Sequence, residues 1–444
     1  MIDDSPRRFR ALTARHLGTL LDRYGADDET KLLTRAVAEV LPFKTNEYVV
    51  DELIDWSRIP DDPIFRLTFP QPDMLAPDEL KTISELLRRG ADRATLTAAV
   101  RQIQASMNAH PAGQTDENLA RWNGRALTGV QHKYRETLLY FPRQGQTCHA
   151  YCTYCFRWAQ FVGIPDLKIA ADSEDAADLH AYLRHHTAVT DILVTGGDPL
   201  IMSTAALRRA VEPFLHPELE HIRTIRIGTK ALTYWPARFT DDRDADDLLR
   251  LFEQIRAAGK HLAVMAHVTH PAELRPGKVR RAVERARSAG AVIRTQAPIV
   301  RSINDSAPVW RELWTRSVAL EAVPYYMFVE RDTGPRHYFE VPLVRAWEIY
   351  REAVSSVSGL ARTVRGPSMS TGPGKIVVDG VARLGQQRAL ALRYLQARDP
   401  GLVGRPFFAE YDAGAVWATD LRPFSDADAF FLDPISVPKK EIPA

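Results

Sequence analysis

Cysteine is nearly missing from this chain: three occur in 444 residues, all inside CHAYCTYC at 148–155. An odd, clustered set excludes a disulfide framework and suits a reducing compartment. An excess of charge of either sign is missing too. Basic residues number 58 against 56 acidic, a formal net charge of +2, so no electrostatic case exists for nucleic acid or a membrane surface as partner. Short basic runs such as RPGKVRR (275–281) read as solvated helix faces. No stretch approaches the roughly 18 apolar residues of a membrane span. The N-terminal MIDDSPRRFRALTARHLGTLL lacks the apolar core and cleavage site of a signal peptide. A cytoplasmic protein is expected. What is present is an ordinary globular balance, 45% hydrophobic and 26% charged. The chain is long enough to bury a large core without a metal or disulfide staple.

The first 106 residues read mainly as helices, with apolar residues at helical spacing in KLLTRAVAEVL (31–41), DELKTISELLRR (78–89) and DRATLTAAVRQIQASM (92–107). A polar stretch, NAHPAGQTDEN (108–118), breaks the pattern. Short apolar runs then alternate with helical segments: TLLYF (137–141), DILVTGG (191–197), TIRIGT (224–229), HLAVMAHV (261–268), AVIRTQAPI (291–299) and VPYYMFVE (323–330). Strand-then-helix units at roughly 30–35 residue spacing predict an α/β protein with a parallel sheet, either doubly wound or closed into a whole or partial barrel. In either form, functional groups gather at the ends of strands. Here those ends carry the cysteine loop, Gly196-Gly197-Asp198, Thr229-Lys230, His267, Gln296 and the 330s. The aromatic stretch 404–434 is expected to dock on the main body, leaving only ISVPKKEIPA (435–444) loose.

The spacing C-x3-C-x2-C, Cys148, Cys152 and Cys155, lets one loop place three thiolates on three corners of a cubic iron–sulfur cluster. The fourth iron is then open to a ligand. The alternatives are a structural zinc with His149 or His132 as fourth ligand, and three unrelated thiols. TGGDPL (195–200) follows a predicted strand; its glycines allow backbone to approach a ligand, and Asp198 offers an acceptor for an ammonium. In SMSTGPGKIVVDG (368–380), Gly372-Pro373-Gly374 form a constrained turn that delivers Lys375 just ahead of a β run. A lysine so held is either an exposed turn residue or the amine that binds an aldehyde cofactor.

With Tyr154 directly before the third cysteine, the chain resembles the radical S-adenosylmethionine (radical SAM) superfamily, and within it the lysine 2,3-aminomutase family from about Thr128 to Asp379. QHKYRETLLYF, CFRW, RIGTKALTYWPARFT, AHVTHPAEL, TQAPIVRSIND and PYYMF carry the resemblance. It implies an isomerase with a [4Fe-4S] cluster, S-adenosylmethionine and pyridoxal 5′-phosphate, which moves an amino group from Cα to Cβ of a free α-amino acid. The implied fold is a partial (β/α)6 barrel: an N-terminal helical region (1–124), a radical SAM core (125–340) and a C-terminal lysine-bearing segment (341–444). By the same resemblance, Cys148, Cys152 and Cys155 bind the cluster. Gly196, Gly197, Asp198, His267 and Gln296 line the adenosylmethionine site. Lys133 and Tyr134 contact the cofactor, Lys375 carries pyridoxal phosphate, and Arg157 grips the substrate α-carboxylate. A small-molecule substrate, an electron donor such as flavodoxin or ferredoxin, and a homo-oligomer are implied partners.

The departures bear on substrate. Ser306 stands where the family has a zinc-binding cysteine, so that site is lost. Where lysine-specific members place two aspartates against the distal ammonium, this chain has Arg331 and Ser368, or in an alternative register Glu330 or Asp332 in place of Arg331. An ammonium buried against Arg331 would be repelled. An acidic or neutral polar side chain is therefore expected rather than lysine, with Arg331 and Arg336 as partners. Two other readings stand beside this one: a radical enzyme with another outcome (decarboxylation, elimination or protein modification), and a non-catalytic zinc-binding module.

Overall fold

The computed structural model describes residues 9–108, 118–163, 169–171 and 175–432. Most of the polar break at 108–118 and all of the tail from 435 lie outside the described residues. Two short strands, β1 (Ala11–Thr13) and β2 (Lys44–Asn46), pair antiparallel in the N-terminal region. The predicted helices there form as Asp28–Val40, Pro77–Arg88 and Arg93–Met107. Asp27 and Asp92 cap two of them by accepting from the backbone N–H of Thr30 and Thr95.

A single twelve-stranded sheet runs through the rest of the chain. The six predicted strands form as β5 (Thr137–Tyr140), β6 (Asp191–Val194), β7 (Thr224–Thr229), β8 (His261–His267), β9 (Val292–Ile299) and β10 (Val323–Val329), each parallel to the next. The sheet extends at both ends. An antiparallel hairpin of β3 (Leu119–Trp122) and β4 (Arg125–Tyr134) precedes β5. Beyond β10, β11 (Arg365–Ser370) adds in parallel, followed by antiparallel β12 (Gly374–Leu384), β13 (Gln387–Ala397) and β14 (Pro406–Glu410).

Side-chain alternation in the parallel strands sets the two faces of the sheet. Ile192, Val194, Ile225, Ile227, Val264 and Ile293 are buried in the main core, packed under helices such as Ala245–Ala257 and Ala307–Ala319. The intervening residues Leu193, Gly228, Met265 and Gln296 turn to the opposite face and line a cavity. The N-terminal helices share a second core with Tyr154, Trp158 and Ala150 of the cysteine loop, so they pack on that loop. A third core joins β12–β14 to Trp417, Leu421 and Phe431, which docks most of the 404–434 stretch as expected.

Candidate active site

The cavity, about 360 Å³, lies at the ends of the parallel strands. Of the residues the sequence singled out, Cys148, Cys152, Cys155, Gly196, Gly197, Asp198, His267, Gln296, Arg157, Arg331, Ser368 and Lys375 all line it. Lys133 and Tyr134 do not. They form the wall behind the lysine turn, where the Lys133 ammonium donates to the Thr371 carbonyl and Tyr134 lies beside Ser370.

The cysteine loop leaves β5 and finds its main-chain partners in the N-terminal region. Tyr151 N–H donates to the Lys44 carbonyl (2.8 Å) and Thr153 N–H to that of Leu67 (2.9 Å). The Asn46 amide donates to the His149 carbonyl at 3.2 Å. With its backbone held from outside, the loop turns its thiols into the cavity. Burial pushes the Cys155 thiol up to about 12 and raises those of Cys148 and Cys152, so three thiolates here call for a cation among them. Among the described residues, the one trio of metal-donor side chains with all ligand atoms within 4.8 Å of each other is His180, His216 and Glu218, on the surface. The three thiols are spread wider than that. At least one pair of the thiols is thus more than 4.8 Å apart, whereas one tetrahedral zinc with bonds near 2.3 Å holds sulfurs about 3.8 Å apart. The proposed fourth zinc ligands fit no better. His132 is engaged elsewhere, its Nδ1 2.6 Å from the Tyr182 hydroxyl, and His149 faces Asp198 at 3.9 Å.

Beside the thiols, the glycine turn is crowded by backbone. A Cβ on Gly197 would stand 2.4 Å from the Thr147 carbonyl oxygen and 2.5 Å from its nitrogen. Gly197→Ala is expected to destabilise the protein by about 1–3 kcal/mol and to lower iron uptake, read by thermal melting and iron content. A normal melt with full iron would count against this close approach. Asp198 is held inside the protein: Thr229 Oγ1 donates to its two carboxylate oxygens at 2.7 and 2.9 Å, and the backbone N–H groups of Lys230 and Leu200 add one bond each at 2.9 Å. Burial would raise this carboxyl, but His149 and those donors more than offset it and keep it ionised. It ties the ends of β6 and β7 together.

His267 and Gln296 are register partners across β8 and β9. His267 Nε2 lies 2.5 Å from the Tyr154 hydroxyl, which is itself 2.7 Å from Thr269 Oγ1. Burial, with Lys230 nearby, pushes His267 down to about 3, so its imidazole is neutral. Sequence reasoning placed Lys230 only at a strand end. In the structure its ammonium is buried and bonded to Glu273 at 2.7 Å, and Glu273 also accepts from Thr233 Oγ1 and the Thr269 N–H. Neither type nor spacing marked Glu273.

On the opposite side, Lys375 is the second residue of β12, with its Nζ 4.3 Å from the Tyr326 ring centroid. The amine faces the cavity yet is enclosed by protein. Burial first, then the charges of Arg226 and Arg365, push it down to about 7. A Cβ on Gly374 would stand 2.3 Å from the Gln396 carbonyl oxygen, which accounts for glycine before the lysine.

Between these ends, Phe156 lies between two guanidinium groups, 5.0 Å from Arg157 and 5.5 Å from Arg331. Arg157 also stacks on Phe141 at 4.5 Å and Arg331 on Trp417 at 5.7 Å. Neither makes an ion pair among the described residues. Burial lowers both, Arg157 to about 10 with Arg331 adding to the effect and Cys155 opposing it, while Asp332 opposes it at Arg331; Arg157 thus stays cationic at neutral pH. Glu330 lines the cavity beside Arg331, whereas Asp332 does not. Burial, reinforced by Asp332, pushes the Glu330 carboxyl well above the carboxylate range, and its Oε2 has no partner. The fully buried Ser368 hydroxyl is also without one. Arg336 lies outside the cavity, paired to Glu340 and Asp420, each at 3.0 Å, which corrects its expected role as a substrate partner.

No family model matches the chain. A protein of Aquifex aeolicus named "Putative L-lysine 2,3-aminomutase" is 30% identical over 394 residues, 88% of this chain and 91% of its own length. The L-lysine 2,3-aminomutases of Fusobacterium nucleatum and Bacillus subtilis are each 28% identical, over 53% and 57% of this chain, which spans about half of their length (51% and 50%). Among solved structures, Streptococcus suis SuiB bound to precursor peptide SuiA overlaps 62% of this chain and 56% of its own, with 12% identity and a TM-score of 0.34, too slight to bear on the fold. No helix among the described residues is long and apolar enough to cross a membrane. Identity with the Aquifex protein over nearly the whole of both chains identifies this chain as a member of the lysine 2,3-aminomutase family, isomerases of the radical SAM class that use a [4Fe-4S] cluster, S-adenosylmethionine and pyridoxal phosphate.

Proposed function

We propose that this cavity catalyses 2,3-amino migration on a free α-amino acid whose side chain ends in an acidic or neutral polar group rather than an ammonium. One observation carries the reading: two half-buried guanidinium groups without ion-pair partners, Arg157 and Arg331, face the space between three thiols and an amine. Buried charges are stable only when paired, so a ligand with two anionic or strongly polar ends suits this space. Lysine would set an ammonium against Arg331.

We read strands β5–β10 as a partial (β/α)6 barrel of the radical SAM type and retain the division at 1–124, 125–340 and 341–444. In this reading Cys148, Cys152 and Cys155 hold three irons. Gly196, Gly197, His267 and Gln296 flank S-adenosylmethionine, with Asp198 fixing the loop between them. When bound, the cofactors supply hydrogen-atom abstraction and a π system through which nitrogen can migrate. The protein's own work is positioning. Arg157 fixes the α-carboxylate and Arg331 with Ser368 fixes the distal group, so Cα and Cβ lie between the cluster end and Lys375. Neutral His267 and the apolar Met265 and Leu193 keep competing acid–base groups and water from the reacting carbons. Lys133 and Tyr134 support the turn that holds Lys375. A flavodoxin or ferredoxin donor and a homo-oligomer belong to the same proposal.

The test is an anaerobic screen of amino acids with reconstituted protein, dithionite and S-adenosylmethionine, read by mass spectrometry and β-amino-acid derivatisation. Acidic or amide amino acids are expected to give products of unchanged mass with the amine on Cβ. A product that has lost carbon dioxide or ammonia would point to the other radical outcomes, and faster turnover of lysine would overturn the substrate class.

A further inference from the structure

Cations from three parts of the chain bear on the three thiols, and Arg157 bears on Cys148 as well as Cys155. Lys44 favours the charged form of Cys148, Lys230 that of Cys152 and Arg157 that of Cys155. Two have other engagements: Lys230 is bonded to Glu273 at 2.7 Å, and Arg157 faces the proposed substrate. Lys44 makes no ion pair among the described residues; burial lowers it, and the charge that opposes this is that of Cys148.

Its position is fixed from several sides. Lys44 lies in β2, 103 residues before Thr147, and its ammonium donates to Thr147 Oγ1 at 2.8 Å. That oxygen is 3.1 Å from the Tyr151 hydroxyl, and the ammonium lies 5.7 Å from the Tyr151 ring centroid. The Lys44 carbonyl accepts the Tyr151 N–H at 2.8 Å, and the Thr147 carbonyl accepts the Asp198 N–H at 2.7 Å. A half-buried cation is thus held against the residue preceding Cys148 by side-chain and main-chain bonds together.

We infer that Lys44 is a positioning residue for the cluster's redox poise: its fixed positive charge beside Cys148 stabilises the reduced cluster and raises its reduction potential. This rests on the three-thiol cluster reading and gives the N-terminal region a part in the chemistry. Reduction adds one electron from dithionite to a [4Fe-4S] centre, taking it from 2+ to 1+, with no bond made or broken and no proton moved. The added negative charge is stabilised by nearby cations and hydrogen bonds, the protein's main means of setting such potentials. A half-buried lysine charge is less screened than an exposed one.

The experiment is an EPR-monitored redox titration, without S-adenosylmethionine, of the full-length reconstituted wild type, K44R and K44Q, with iron and sulfide assayed in each. All three are expected to hold four irons. K44Q should be about tenfold harder to reduce, a midpoint about 59 mV lower for a one-electron couple, and K44R should stay close to wild type. A K44Q midpoint equal to wild type overturns the inference, as does a K44R midpoint that falls as far as that of K44Q. Loss of iron in K44Q but not K44R also overturns it, since the lysine would then serve assembly rather than potential. A wild type that takes up no cluster fails the underlying reading as well, and so separates the two failures.

Discussion

Replacing Lys375 with alanine is expected to abolish covalent uptake of pyridoxal phosphate and to lower turnover by at least 10²- to 10⁴-fold, the range assigned to one positioned proton-transfer group. The argument begins at Gly374, where only hydrogen fits against the Gln396 carbonyl, so the chain must enter β12 in this register with the lysine facing the cavity. The ammonium then meets the faces of Tyr326 and Phe328 and the charges of Arg226 and Arg365, with no carboxylate bonded to it. Each of these except the ring faces favours the neutral amine, and the amine is the nucleophile toward an aldehyde. With the group brought to about 7 from an ordinary value of 10.5, roughly half is free amine at neutral pH. Uptake by the apoprotein should therefore be half-maximal near pH 7, falling below it as the ammonium forms. Borohydride trapping followed by intact-mass and peptide mass spectrometry reads both results. Trapping at another lysine, or a midpoint near pH 10, would remove Lys375 from the role proposed for it.

How much of this was legible in the sequence depends on the range of the interaction. The parallel strands were visible because each is a short apolar run with a helix behind it, and β6 to β9 end within three residues of the sequence reading. The hairpin of β3 and β4 was not anticipated: its strands carry polar and charged residues, as in LARW and RALTGVQHKY, and give no continuous apolar signal. Beyond Lys375 a β run was expected, but nothing local said that it and the chain after it would continue the same sheet through β14. Within the site, the three cysteines and the turns at Gly197 and Lys375 are marked by spacing, while Arg157, His267 and Gln296 are marked only by the family resemblance. Residues that act through distant contacts are marked by neither. Lys44 reaches Thr147 across 103 residues and Asn46 reaches Tyr234 across 188, and no local pattern marks either. Asp198 shows a different limit: read along the chain its carboxylate is open, but Thr229 and two N–H groups bond to it once β6 and β7 lie side by side.

Substitution of Arg331 by methionine is expected to cut kcat/KM for an acidic substrate by about 10²- to 10³-fold, against a much smaller loss for a neutral side chain. Removing one partner of a buried charge pair costs about 3–5 kcal/mol, and each 1.4 kcal/mol is about tenfold. Methionine keeps most of the volume against Phe156 and Trp417, so the loss should come from charge rather than packing. Glu330 beside it bears on the argument: burial and Asp332 raise its carboxyl, which weakens it as a counter-charge, while Asp332 offsets part of the burial cost at Arg331. Arg157→Met supplies the contrast, because every α-amino acid presents an α-carboxylate and all substrates should lose by a similar factor. If Arg331→Met also lowers every substrate equally, Arg331 does not read the distal group. Substrate choice would then pass to Glu330 and Ser368, two of the cavity residues whose buried oxygens lack partners.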